Sequence, residues 1–323
     1  MKKYNWAILG CGKIAKKFSK DLATLNNANL FAVASRNLEK AKKFAKEFNF
    51  LNAFGSYDEL VNTSEVDIVY IATPHSLHSK HTILCLKNKK AVLCEKAFAM
   101  NFKEVNQMVN ESNINNTFLM EAFWTRLNPQ FLKIQKLIKS SKLGKIRFVK
   151  SDFMFNADYN PKNRLYNVDL GGSSLMDIGI YPVFYSLMFL GIPNKIKTLI
   201  TFSETDSEES IAILMGYKDE TFAVLTSSFD AISKNETELC FENGFIKFER
   251  NKTIHLNCDG RNQFIEIEED QNFGFQHEAK HVMNCLNKKL TQSPILSHEF
   301  SKNLISILDK IRKESNIVFT NHD

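Results

Sequence analysis

Four groups of residues in this 323-residue chain have types and spacings that could do chemistry. The first is Gly10-Cys11-Gly12-Lys13-Ile14-Ala15, a match to G-x-G-x-x-[GA] that follows a short apolar run and opens a helical pattern. Gly10 permits a tight turn, Gly12 lets the backbone come close to a pyrophosphate, and Ala15 is small enough for helix and strand to pack. The helix N-terminus would offer unpaired N–H groups and a partial positive charge to that anion. The second group, Ser35-Arg36, ends the next apolar run, where a dinucleotide's ribose would lie. A carboxylate there suits a free 2′-hydroxyl and repels a 2′-phosphate, whereas a guanidinium clamps phosphate with two charge-assisted hydrogen bonds. Together the two groups predict NADP, with NAD possible.

The third group is Lys96, Asp177 and Tyr181. Oxidising a secondary alcohol needs a base for the hydroxyl proton while a hydride leaves the same carbon. Asp177 and Tyr181 are four apart, so on a helix they share a face about one turn apart. A phenol titrates near pH 10, and a nearby ammonium favours the phenolate. Lys96 closes an apolar run, at the carboxyl end of a predicted parallel strand, where open α/β sheets place their ligands. The fourth group is His277-Glu278-Ala279-Lys280-His281, a literal H-E-x-x-H, with Glu299 downstream as a conceivable third ligand. On a helix it would set two imidazoles on one face for zinc, with the glutamate as base of a hydrolase. Three fixed positions in five recur easily by chance, and a zinc hydrolase needs no dinucleotide loop. No metal site is predicted.

The elements that must hold these groups alternate through the first third. Apolar runs at residues 4–9, 31–34, 66–72, 91–94 and 117–120 read as strands, separated by helical patterns at 13–22, 38–48, 76–86 and from Asn101 to about 109. Asn37 caps the second helix, and Asn101 with Glu104 forms a capping box for the fourth. Repeated βαβ units of this kind imply a doubly wound parallel sheet. The remainder is β-rich, with runs at 146–155, 196–202, 211–215, 221–228, 237–241, 245–249, 253–256 and 264–267 separated by short turns. These predict a mostly antiparallel open sheet flanked by helices at 173–190, 276–286 and 299–313. The boundary is expected near residue 121, giving a dinucleotide-binding domain over 1–121 and a substrate and dimerisation domain over 122–323.

Three further segments carry a resemblance. Cys94-Glu95-Lys96, Ile71-Ala72-Thr73-Pro74-His75 and the run Gly171-Gly172-Ser173-Ser174-Leu175-Met176-Asp177-Ile178-Gly179-Ile180-Tyr181-Pro182 keep the order and spacing of the glucose–fructose oxidoreductase and inositol dehydrogenase family, Gfo/Idh/MocA. The chain resembles that family over nearly its whole length. Phe118-Leu119-Met120-Glu121-Ala122-Phe123-Trp124-Thr125-Arg126 is similar to the branch holding dimeric dihydrodiol dehydrogenase and NADP-dependent D-xylose dehydrogenase. The resemblance implies a Rossmann domain followed by an α/β domain whose open sheet often forms the dimer face. It implies that Lys96 and Tyr181 are a catalytic pair meeting across a cleft, with Asp177 orienting the substrate or the tyrosine. Trp124 and Arg126 would line the pocket, and Thr73, Pro74 and His75 would border the nicotinamide half of the cofactor. Glu95 would anchor Lys96 or bond a ribose. Tyrosine at 181, where inositol-type members carry histidine, favours the dihydrodiol and aldose branch. The family's E-K-P becomes Glu95-Lys96-Ala97 here, and that departure keeps open a second reading, a non-catalytic NADP-binding sensor.

Composition narrows the partners. The net charge of +6 comes from 42 basic and 36 acidic residues spread along the chain, without the basic arm or stripe of a nucleic-acid binder. The longest nearly apolar stretch, 180–190, is shorter than the roughly 20 residues a bilayer span needs. Met1-Lys2-Lys3 precedes only a brief apolar run, unlike a signal peptide, and six cysteines form no C-x-x-C pair. The expectation is a cytoplasmic homodimer acting on a small sugar or cyclic diol, with neither nucleic acid nor membrane as partner.

Overall fold

The computed structural model describes residues 2–140, 142–250, 252–268 and 272–323. Its Cα packing groups Met1–Asn128 with Asp270–Lys302, and Pro129–Glu269 with Asn303–Asp323. The compact units are therefore not two consecutive segments. Residues 270–302, which a single boundary near 121 assigns to the second half, pack with the first.

The first unit is built on β1 (Tyr4–Leu9), α1 (Lys13–Leu22), β2 (Ala28–Ala34), α2 (Leu38–Phe48), β3 (Asn52–Phe54), α3 (Tyr57–Val61), β4 (Ile68–Ile71), α4 (His78–Lys87), β5 (Ala91–Glu95), α5 (Phe102–Asn115) and β6 (Leu119–Ala122). All six strands are parallel, in the order β3-β2-β1-β4-β5-β6. The central strands are apolar without alternation because helices cover both faces, and Ile8, Leu9, Ile68 and Ile71 are fully buried. Helix starts follow the sequence signals. Asn37 Oδ1 accepts from Lys40 N at 2.9 Å, and Asn101 Oδ1 accepts from Glu104 N at 2.9 Å. The Glu104 carboxylate reaches Met100 N, one residue before the cap. Short β3 and α3 carry no strong apolar period and were not foreseen.

The second unit begins with α6 (Pro129–Ser140), also unforeseen, then β7 (Ile146–Met154) and α7 (Ile180–Leu190). Its eight-stranded sheet has the order β14-β13-β12-β11-β7-β10-β9-β8, from β8 (Lys195–Phe202), β9 (Glu208–Gly216), β10 (Phe222–Ser228), β11 (Glu236–Phe241), β12 (Gly244–Glu249), β13 (Ile254–Cys258) and β14 (Arg261–Ile265). Every pairing is antiparallel except β7 with β10. One face, including Val149, Ile213, Ala223, Leu225, Leu239 and Ile246, is buried. The chain ends through α8 (Gln276–Asn287), which belongs to the first unit, and α9 (His298–Glu314), which contributes to both.

The helix expected over 173–190 is not one α-helix. Leu175–Gly179 is a π-helical segment, and the α-helix starts at Ile180. Asp177 thus sits in the wider π-turn and Tyr181 in the first turn of α7, so the one-turn α spacing does not describe them. The helical stretch is also longer than the apolar run read from sequence. Val168–Leu190 has the length and apolarity of a membrane span, yet 83% of its most apolar window is buried inside the protein. It is the core segment of its unit.

Candidate active site

In the first unit the expected cofactor residues gather at the carboxyl ends of β1, β2, β4 and β5, where the strand order reverses between β1 and β4. Gly10 has φ of +100°, and a Cβ there would stand 2.7 Å from the Ala72 carbonyl oxygen. Backbone from β4 therefore comes too close for any side chain. Gly12 differs: a Cβ would meet only Ala72 O, at 3.9 Å. The space above Gly12 is open, as close approach of a ligand requires. Gly12 is also the N-cap of α1, with no side chain capping the helix and no acid in its first turn. Lys13 is exposed there, Ile14 is half-buried, and Ala15 is fully buried against the sheet. Cys11 is buried, which pushes its thiol pKa up, so it is an inert wall of the turn.

Ser35 is buried and Arg36 exposed at the end of β2. The charge of Arg36 is felt by Tyr57 and by His81, whose pKa falls to about 4, chiefly through burial and then through neighbouring cations. These residues fit a dinucleotide carrying a 2′-phosphate: an uncapped helix end for pyrophosphate, open space over Gly12 and a cation in place of an acid.

The loops after β4 and β5 are tied together by one ring. His78 places Nδ1 2.8 Å from Ala97 O and Nε2 2.8 Å from Thr73 O. Thr73 Oγ1 lies 3.0 Å from His81 Nδ1, and Pro74 precedes a 3-10 turn in which His75 is buried, its ring 5.5 Å from that of His78. Lys96 is half-buried and joined to Ala97 by a cis peptide bond. Its backbone N–H donates to Glu95 Oε2 at 3.2 Å, and Tyr70 Oη donates to Glu95 Oε1. Glu95 therefore anchors the lysine's backbone and is itself held from below.

Beneath that pair lies Glu278, the acid of the H-E-x-x-H match. It is fully buried, no hydrogen-bond partner among the described residues reaches either carboxylate oxygen, and burial with the charges of Glu95 and Asp21 drives its pKa well up. Asp21, also buried, accepts from the Phe273 and Phe275 backbone N–H groups leading into α8. His281 Nε2 lies 2.8 Å from Ser293 Oγ. Among the described residues no three His, Cys, Asp or Glu side chains cluster to hold a metal.

Trp124 is buried and Arg126 half-buried in the 3-10 helix Trp124–Leu127, the indole meeting Phe275 edge-on at 5.8 Å. They follow β6, where Glu121 is buried, accepts from Ser301 Oγ at 2.6 Å and has its pKa pushed up to about 7 by desolvation.

In the second unit, Tyr181 is buried and lines a cavity of about 300 Å³ bounded also by Ser151, Phe153, Tyr185, Thr237, Phe248 and Arg250. Its ring lies 5.5 Å from that of Phe153, and the Arg250 guanidinium carbon stands 5.2 Å from its centroid. Asp177 is engaged elsewhere: Arg164 holds it bidentately, at 3.0 and 3.2 Å. The π-turn that carries Asp177 is pinned by Glu208 of β9. That buried carboxylate accepts from Ser173 Oγ, Ser174 Oγ and Leu175 N at 2.6–2.7 Å.

Sequence reasoning missed Arg164, Glu208 and Arg250 because no local pattern marks them. A buried glutamate opposite two adjacent serines becomes visible only once β9 is placed.

The chain matches two family profiles, "Oxidoreductase family, NAD-binding Rossmann fold" over residues 4–123 and "GFO/IDH/MocA C-terminal domain" over 131–247. It is 33% identical to trans-1,2-dihydrobenzene-1,2-diol dehydrogenase of Xenopus tropicalis, covering 97% of this chain and 98% of that one. Against the Homo sapiens protein of the same name the identity is 32%, with 97% of both covered. Among solved structures, a 3-ketoreductase from Actinomadura kijaniata in complex with NADP and TDP-benzene superposes with a TM-score of 0.89 at 21% identity, over 97% of this chain and 98% of that one. An aldose-aldose oxidoreductase from Caulobacter crescentus gives 0.88 at 23% identity, over 98% of both. With its glycine turn, its tyrosine-lined cavity and these matches along both parts, the chain belongs to the Gfo/Idh/MocA family of nicotinamide-dependent oxidoreductases.

Proposed function

We propose that this protein is an NADP-dependent dehydrogenase moving a hydride between the nicotinamide and a secondary carbon of a sugar or cyclic trans-diol. The observation that carries this reading is Tyr181, a buried phenol on the wall of a cavity large enough for one small ring. When bound, NADP supplies the hydride acceptor. Tyr181 takes the hydroxyl proton, with Lys96 as its partner in the chemistry. Gly10, Gly12 and the α1 N-terminus hold the pyrophosphate, Arg36 clamps the 2′-phosphate, and Ser35, Thr73, Pro74 and His75 shape the rest of the cofactor's bed. Trp124 and Arg126 bound the substrate. Asp177, held by Arg164, positions the turn ahead of Tyr181.

A homodimer through the second unit's sheet fits the same reading. On the face away from the buried core, Leu199 is 79% exposed, Leu214 50%, Phe222 47% and Phe264 70%, an apolar surface of the kind that partners cover. A cytoplasmic address suits six cysteines without a disulfide.

The test is a panel of aldoses and cyclic trans-diols, each with NADP and with NAD, read by absorbance of the reduced nicotinamide. Turnover with NADP on at least one member is expected, and Lys96→Ala should lower it by about 10²-fold or more. Tight NADP binding with every candidate left unoxidised would instead favour a sensor.

A further inference from the structure

We propose that Glu121, a buried acid near the carboxyl end of β6, is a positioning residue: it holds the backbone of the loop that carries Lys96 and so sets where that side chain sits. The inference rests on the reading of Lys96 as a partner in the chemistry. β6 runs parallel to β5, with Glu121 opposite Cys94. From there its carboxyl receives the backbone N–H of Phe98, two residues past Lys96. Glu95 holds the other end of the same segment, accepting from the Lys96 N–H at 3.2 Å. One acid thus grips each end of segment 96–98, and Ala97, Phe98, Ala99 and Met100 are all buried. A buried N–H without an acceptor is costly, so the loop keeps its path while both acids hold it.

The other side of Glu121 is fixed by α9. Ser301 Oγ donates to it at 2.6 Å, and His298, one turn earlier, sets Nε2 2.9 Å from Leu119 O at the start of β6. The carboxyl therefore joins the loop after β5, β6 itself and α9 at one point. A purely structural tie needs no charge, yet this one ionises near neutrality. Desolvation pushes the Glu121 pKa up to about 7, against the Ser301 hydroxyl and the Phe98 N–H; Glu95 raises it further and Lys96 lowers it. The other titratable neighbours, Cys94 on β5 and His298 on α9, are kept neutral by burial. Glu121 thus passes from acid to carboxylate as the pH rises. The carboxylate is the stronger acceptor for the Phe98 N–H and attracts the Lys96 ammonium, so the hold on the lysine tightens with pH.

Two measurements on the full chain test it. The first is NMR of the Lys96 ε-methylene in lysine-labelled protein, assigned by comparison with Lys96→Arg. Wild type should show a step near pH 7. The step should be absent in Glu121→Gln, and in Ser301→Ala it should move up by roughly half a unit or more, because that variant loses a bond favouring the carboxylate. The second is turnover with NADP on whichever alcohol of the panel is oxidised. Glu121→Gln, which fixes the neutral form, should stay within about threefold of wild type at about pH 6 and fall about tenfold or more below it at about pH 8.5. NADP affinity, read by calorimetry, should change by less than about threefold at both. A merely structural role would give one ratio at every pH. A constant ratio, a Lys96 step that persists in Glu121→Gln, or a parallel loss of NADP affinity would each overturn the proposal. Should Glu121→Gln fail to fold, the shift in Ser301→Ala decides alone. A Lys96 step that Glu121 controls, with no alcohol oxidised, would sustain the positioning role and remove the catalytic reading instead.

Discussion

The glycine turn of the first unit and the tyrosine wall of the second solve opposite problems. The turn is made of backbone: Gly10 is pressed against the Ala72 carbonyl, Gly12 stands beneath open space, and α1 ends there uncapped. The wall is made of side chains drawn from far apart, with Phe153 on β7, Tyr181 on α7 and Arg250 in the turn after β12, and the turn ahead of Tyr181 pinned by Glu208 and Arg164. A backbone site must be encoded by consecutive residues, because each glycine answers a local φ or a local approach. A side-chain site can be assembled from any residues that the sheet brings into register.

Substitutions can break that contrast or sharpen it. The largest effect should come from deleting the Tyr181 hydroxyl. Tyr181→Phe is expected to cut turnover by about 10²-fold or more while NADP binding, measured by calorimetry, stays within a few-fold of wild type. Retained turnover would remove the tyrosine from the chemistry. Arg36→Asp should come next, weakening NADP by roughly tenfold or more with NAD almost untouched, the 2′-phosphate being the proposed target of that guanidinium. Parallel loss for both cofactors would mean that Arg36 supports the fold of the site and not its selectivity. Lys13→Ala, beside the backbone cradle, should change NADP affinity by only a few-fold.

The smallest effect concerns stability and pH. Glu278 is fully buried with its pKa raised well above the usual carboxylate range, so the folded chain holds a proton there that the unfolded chain releases above about pH 4.5. The stability it gives is fully present at acid pH and falls as the pH rises toward its folded pKa. Glu278→Gln keeps the neutral shape without the proton. Its melting temperature should therefore match wild type near pH 4 and exceed it at pH 8, by an amount equivalent to about 1 kcal/mol or more. Identical slopes for the two proteins would show that Glu278 is not the proton holder.

How much was legible follows from the same contrast. The parallel sheet could be read because its central strands are continuous apolar runs, and the second sheet because its β-rich runs are separated by short turns. The glycine turn and Arg36 could be read from their neighbours in sequence. The grouping of 270–302 with the first unit could not, since nothing in α8 itself says which sheet it covers. The π-turn at Leu175–Gly179 was equally hidden: Glu208, 33 residues beyond Leu175, accepts from the Leu175 N–H and from the hydroxyls of Ser173 and Ser174 just ahead of the segment. Glu278 offered a metal motif, yet its raised pKa comes from burial first and then from the charges of Glu95 and Asp21, on two other elements.

The ring of His78 has one more consequence. The oxygens of Thr73 and Ala97 can only accept hydrogen bonds, so both contacts stand together only when each ring nitrogen bears a hydrogen. One side chain of α4 thus reaches the backbone of the loops after both β4 and β5, so a change at this single position bears on two segments at once.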